Sequence, residues 1–120
     1  MHCETNHENN ILVICIPSRE THFALANELR RQLFDFIAAG ERRLLIDLSR
    51  CEYLDSTLLG VLVGAARKLH AVNGALKLTG VHRNVRRLLQ LTNLNRVFEA
   101  YDSKHEALAA FYGCEEISRN

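Results

Sequence analysis

The sequence predicts an α/β domain built on a largely parallel sheet. Three observations predict it: short apolar runs alternate with amphipathic stretches, no linker or repeat interrupts the alternation, and the composition suits one core. The chain has 120 residues, 48% apolar and 24% charged, enough for one compact domain and too few for two ordinary ones. Parallel neighbours need a crossover, and the gaps between the strand candidates are long enough to hold helices.

Cys3 to His7 is a candidate edge strand, with Asn9-Asn10 as its turn. Ile11-Leu12-Val13-Ile14-Cys15-Ile16 is short, β-branched and closed by Pro17, as a buried strand would be. From Phe23 the period changes to that of a helix: Leu25, Leu29, Leu33, Phe36 and Ile37 share a face, and Gly40 supplies a left-handed ending. Leu44 to Leu48 returns to strand character before the turn-like Ser49-Arg50. After Ser56, apolar residues at Leu58, Leu62, Ala65 and Leu69 keep helical spacing, Arg67, Lys68 and His70 suit the negative end of the dipole, and Gly74 marks the stop. Ala75 to Thr79 reads as a strand of alternating polarity closed by Gly80. A third helix runs through Val85, Leu88 and Leu89 to Leu91, with Asn93 as its stop, and Val97 to Tyr101 forms a last strand. Ser103 and Glu106 form a capping box ahead of a final helix carrying Ala107, Leu108 and Phe111.

Composition narrows the function. A net charge of +1 argues against nucleic-acid binding, which needs a concentrated basic surface. The basic group at His82, Arg83, Arg86 and Arg87 reads as the solvated face of the third helix. The longest apolar run stops at Arg67, far short of the roughly 20 residues that span a bilayer. The opening MHCETNHENN lacks the order of a secretory signal, so a cytoplasmic location is expected. Cys3, Cys15, Cys51 and Cys114 are widely spaced with no CxxC pair, which favours free thiols over disulfides or a zinc site.

Catalytic motifs are missing. There is no GxxxxGK[ST], no GxGxxG after a strand and no HExxH, so a non-enzymatic protein without a cofactor or metal is expected. His2, Cys3 and His7 could gather a metal only from a terminus expected to be mobile. Asp47 lies in the third strand candidate, where its carboxylate suits backbone groups at the strand end. The stretch EYLDSTLLG holds the attention because it follows the carboxyl end of a parallel strand, where α/β sites lie. Asp55, Ser56 and Thr57 all suit a helix cap. A hydroxyl at a helix start can also carry a phosphate, which would meet amide donors there and set about two negative charges beside Tyr53, Leu54 and Leu58.

The stretch LLIDLSRCEYLDSTLLGVLVGAARKL resembles the central segment of STAS domains, the fold of bacterial anti-sigma factor antagonists. HRNVRRLLQLTNLNRVF is similar to the family's later helix, L-[ST]-x-L turn and strand. The resemblance covers roughly residues 11–111. It implies a single α/β STAS-like domain over 1–120, with a mixed four- to five-stranded sheet and about four helices mainly on one side. The core would lie at about 11–112, with 1–10 as an edge strand or flexible segment and 113–120 as a tail. It implies phosphorylation at Ser56, with Thr57 the secondary candidate, and a partner surface at Tyr53, Leu54, Asp55, Thr57, Leu58 and Leu59. The implied partners are an anti-sigma factor serine kinase of the histidine-kinase-like ATPase fold and a PPM-type serine phosphatase. The sequence departs from the family pattern twice: Leu58 stands where glycine often follows the two hydroxyls, and Arg19-Glu20-Thr21-His22 stands where G-x-L-D is common. A STAS accessory subunit of an ATPase-driven membrane transporter, without a phosphoswitch, is the alternative expectation. A small enzyme acting at Asp55 to Thr57 is the third.

Overall fold

Apolar residues on both faces of the central strands decide the architecture. The computed structural model describes the backbone of residues 3–119 and the side chains of residues 3–112. The elements run β1 (Glu4–Glu8), β2 (Ile11–Cys15), α1 (Phe23–Ala38), β3 (Arg43–Asp47), α2 (Ser56–Ala71), β4 (Ala75–Thr79), α3 (Arg83–Leu91), β5 (Glu99–Tyr101) and α4 (Lys104–Arg119). A 3-10 turn at Leu94–Arg96 fills the gap between α3 and β5. The five strands form one mixed sheet in the order β1-β2-β3-β4-β5, in which β1 is antiparallel to β2 and the rest are parallel. Asn9 takes φ 58° in the turn between β1 and β2.

Three successive crossovers step between neighbouring strands in the same direction. Each is expected to be right-handed, so all three helices fall on the same side. Leu12, Ile14, Leu44, Ile46 and Leu78 face that side, together with Leu29 and Leu33 of α1, Leu58 and Leu62 of α2, and Val85 and Leu89 of α3. The opposite face would then be bare. It is covered by α4, whose Ala107 and Phe111 pack on Ile11, Val13 and Leu45. Each fully buried leucine or isoleucine contributes about 1.5–3 kcal/mol. α4 continues to Arg119, into the stretch from 113 expected as a tail.

The endings differ in detail from the sequence reading. Gly40 takes φ 109° as expected, but after α2 it is Asn73 that turns left-handed, at φ 62°. Gly74 is needed for space instead, since a Cβ there would lie 2.6 Å from the Arg42 carbonyl oxygen. The alternation expected of β4 does not expose its polar residues. Lys77 and Thr79 are 4% and 2% exposed, because α4 lies over the face they occupy. The Lys77 ammonium reaches Glu99 at 2.6 Å and lies 5.1 Å from the centre of the Phe111 ring. That ammonium first, and the Tyr101 hydroxyl second, hold the Glu99 carboxyl below its ordinary value.

Cys3 and Cys51 are buried free thiols, and Cys15 is a half-buried one. Burial pushes the Cys3 and Cys51 thiols up to about 11. The Cys114 side chain and His2 lie outside the described residues. Among the described residues, no group of three or more potential ligands is placed to hold a metal ion, and no helix is long and apolar enough to cross a membrane.

Candidate functional site

The carboxyl ends of β2 and β3 present two loops side by side. After Pro17 the chain runs alongside the segment that follows β3, with a parallel bridge between Glu20 and Tyr53. The Arg19 carbonyl accepts from Glu52 N at 2.8 Å and Tyr53 N at 3.0 Å, and Thr21 N donates to the Tyr53 carbonyl at 3.2 Å. Leu48 and Cys51 are fully buried beneath this second loop. Arg19 pairs with Glu52 and stacks over Tyr53, 5.8 Å from the ring centre. Asp47 does what its place at the strand end suggests: it accepts from Ser49 N at 2.9 Å and from the Cys15 thiol at 3.4 Å.

Asp55 is the cap of α2. Its backbone is extended, at φ −83° and ψ 166°, and its Oδ1 accepts from Leu58 N at 3.2 Å. Thr21, 34 residues earlier, completes the arrangement in both directions. Its hydroxyl donates to Asp55 Oδ1 at 2.5 Å and accepts from Asp55 N at 2.8 Å. The Thr57 hydroxyl donates to Asp55 Oδ2. Partial burial pushes the Asp55 carboxyl up, but the hydrogen bonds from Thr21, Thr57 and Leu58 N outweigh it and hold the group below its ordinary value.

Because Asp55 caps the helix, Ser56 occupies the first helical position with its side chain exposed. The sequence reading had Ser56 sharing in the cap; the two roles are divided between neighbours. Thr57 is also exposed, Tyr53 is 47% exposed and Leu54 is half-buried against the core. Leu58 and Leu59 do not belong to the surface. They are 0% and 7% exposed and point into the core, since they lie on the stripe that also carries Leu62. The extra bulk of Leu58 over glycine is therefore absorbed inside.

Sequence reasoning missed the other wall of the site. Phe23, Ala26, Asn27 and Arg30 of α1 face Ser56, Thr57, Gly60 and Val61 of α2 across a groove of about 370 Å³. Phe23 is 72% exposed. A signal for it was available: Phe23 lies about 90° around α1 from the middle of the stripe formed by Leu25, Ala26, Leu29, Leu33 and Ile37, at the edge of the buried face. His22 caps α1 through its Nδ1, which accepts from Leu25 N at 3.3 Å. Thr21 thus links the two helix starts, its side chain at Asp55 and its chain neighbour at the head of α1.

The family model described as STAS domain matches residues 2–107. A protein of Thermotoga neapolitana, provisionally named an anti-sigma factor antagonist, is 34% identical over 103 residues, which are 85% of this chain and 91% of that protein. The crystal structure of a Thermotoga maritima protein described in the same provisional terms superposes with a TM-score of 0.84 at 28% identity, over 90% of this chain and 92% of that one. The anti-sigma factor antagonist SpoIIAA in its unphosphorylated form has the same fold, with a TM-score of 0.81 at 21% identity over 92% and 96% of the two chains.

Proposed function

The chain belongs to the STAS domain family, and we propose that it is a protein-binding regulator of the anti-sigma factor antagonist type, switched by phosphorylation of Ser56. The observation that carries the reading is the division of labour at the start of α2. Asp55 holds the cap, which leaves the Ser56 hydroxyl exposed on the lip of an apolar groove. The names of the relatives point the same way.

In the unphosphorylated state the surface formed by Tyr53, Leu54, Asp55, Thr57 and the newly recognised Phe23 binds an anti-sigma serine kinase of the histidine-kinase-like ATPase fold. Sequestering that kinase frees a sigma factor and promotes sigma-dependent transcription. In the switching step the Ser56 Oγ–P bond forms as the bond from the γ-phosphoryl of ATP to ADP breaks, and the hydroxyl proton leaves. The product carries about two negative charges, which an apolar partner surface must desolvate, so the complex weakens. Hydrolysis by a PPM-type phosphatase returns the hydroxyl.

The test is incubation with a serine kinase of that fold from the same organism, with ATP, followed by phosphosite mapping and binding measurements on wild type, Ser56→Ala and Ser56→Asp. Phosphate is expected at Ser56, with Thr57 a minor site. Ser56→Ala is expected to bind without being modified, and Ser56→Asp to bind about tenfold or more weakly, a loss of about 1.4 kcal/mol. Absence of phosphate at both hydroxyls, together with unchanged binding in both variants, would show the reading to be wrong.

A further inference from the structure

The groove beside Ser56 is lined largely by apolar side chains and has one exposed cation among its lining residues. Phe23, Ala26 and Val61 supply the apolar lining, and Arg30 is the cation among the lining residues. Its position along α1 matters. The two helices start level with each other, because Thr21, one residue before the cap of α1, is bonded to Asp55, the cap of α2. Arg30 leaves α1 two turns below that level. Long side chains on a helix lean back toward its N-terminus, and Arg30 does so: its Nη2 donates to Asn27 Oδ1, three residues earlier, at 2.9 Å. The guanidinium therefore stands about one turn, or ~5 Å, below the level of Ser56. Its acceptor there is a neutral amide. Arg31, the next residue, is turned elsewhere and is paired with Glu28 at 2.6 Å.

We propose that Arg30 receives the phosphate carried by Ser56: the modified side chain turns into the groove between α1 and α2 and pairs with the guanidinium across it. The inference rests on the phosphorylation reading above and adds the place where the phosphate goes. Arg30 exchanges the Asn27 amide for a dianion, which a planar guanidinium binds with paired, charge-assisted hydrogen bonds. The groove is then filled by part of the chain itself. A docking partner is refused twice, once by charge and once because its place among Phe23, Ala26 and Val61 is occupied.

The experiment places phosphoserine at position 56 during translation, so it needs no kinase. The second ionisation of the phosphate is followed by phosphorus NMR in the otherwise unaltered protein, in Arg30→Gln and in Arg31→Gln. All three keep the core intact, since Arg30 and Arg31 are exposed. In the protein with Arg30 present the ionisation is expected about half a pH unit below that of Arg30→Gln, the size of a solvent-exposed ion pair. Arg31→Gln is expected to match the unaltered protein. Equal titration with and without Arg30 would overturn the proposal. So would an equal displacement in Arg31→Gln, which would mark a general effect of charge on α1. The kinase assay and this titration fail separately: a protein that no kinase modifies can still show the Arg30 effect, and a true phosphoswitch can lack it.

Discussion

The two-way bond between Thr21 and Asp55 can be isolated by a double-mutant cycle. In Asp55→Ala the cap to Leu58 N is lost, at about 1 kcal/mol. The hydrogen bond from the Thr21 hydroxyl is lost as well, at about 1 kcal/mol. In Thr21→Val that same bond disappears, and Asp55 N is left without its acceptor in a half-buried loop, again about 1 kcal/mol. The Thr57 hydroxyl, which also donates to Asp55, is exposed and bonds water instead at little cost, so each single variant is expected to be about 2 kcal/mol less stable than wild type. The double variant is expected to lose only about 3 kcal/mol, because the shared bond is removed once, leaving a coupling of about 1 kcal/mol. Urea unfolding at pH 7, with an unchanged m value across the four proteins, measures it. The sign of the pH dependence follows from the depressed Asp55 carboxyl. Its contribution is fully present above the unfolded value of about 3.9 and is lost as pH falls through the lower folded value. The cycle repeated at lower pH should therefore show the coupling shrinking across that window. Additivity of the two single changes to within about 0.3 kcal/mol at pH 7 would refute the reasoning.

Two further predictions concern the buried groups. Lys77→Met should fall within about 1 kcal/mol of wild type in stability, because the Glu99 side chain it abandons is 61% exposed and can be solvated. Lys77→Ala should cost about 2–3 kcal/mol by opening a cavity beneath α4; equal losses in chemical unfolding would show that the ammonium, and not the stem, holds that contact. Cys3 and Cys51, whose thiols burial pushes up to about 11, should resist iodoacetamide at pH 8 in the folded protein and react once it is unfolded in urea. Peptide mass spectrometry reads this directly, and prompt alkylation of either thiol in the native protein would contradict the packing.

How much of the fold was legible depended on whether a signal is local. The runs at Ile11 to Ile16 and Leu44 to Leu48 read as strands because they are apolar on both faces, as strands covered by helices on both sides must be. β4 misled because alternation normally marks a wetted face, and nothing local says that α4, formed about thirty residues later, will cover Lys77 and Thr79. Within the site, Ser56 and Asp55 are both good cap formers, so adjacent positions compete and only the backbone turn decides between them. The burial of Leu58 was legible in its spacing with Leu62, Ala65 and Leu69, a stronger signal than its closeness to the hydroxyls. Thr21 was not legible as a partner of Asp55. Its neighbour His22, not Thr21, stands at the acid position of G-x-L-D, and the role of Thr21 comes from a contact across 34 residues.

That contact also limits what the start of α2 can do for a phosphate. The Asp55 carboxylate cannot swing aside without giving up Thr21, Thr57 and the cap to Leu58 N. A phosphate on Ser56 must then coexist with a fixed negative neighbour. Two unit charges about 4 Å apart repel by about 1 kcal/mol even in water, and a phosphate brings nearly two. The positive end of a helix returns typically only about 0.3–1 kcal/mol to an anion at an exposed terminus. Both terms scale with the phosphate's charge, so the helix start at best cancels the repulsion from its own cap, and a full cation within reach tips the balance toward binding. Arg30 is the groove residue that can supply it, which is why removing its charge should be felt by a phosphate at Ser56 although the two residues sit on different helices.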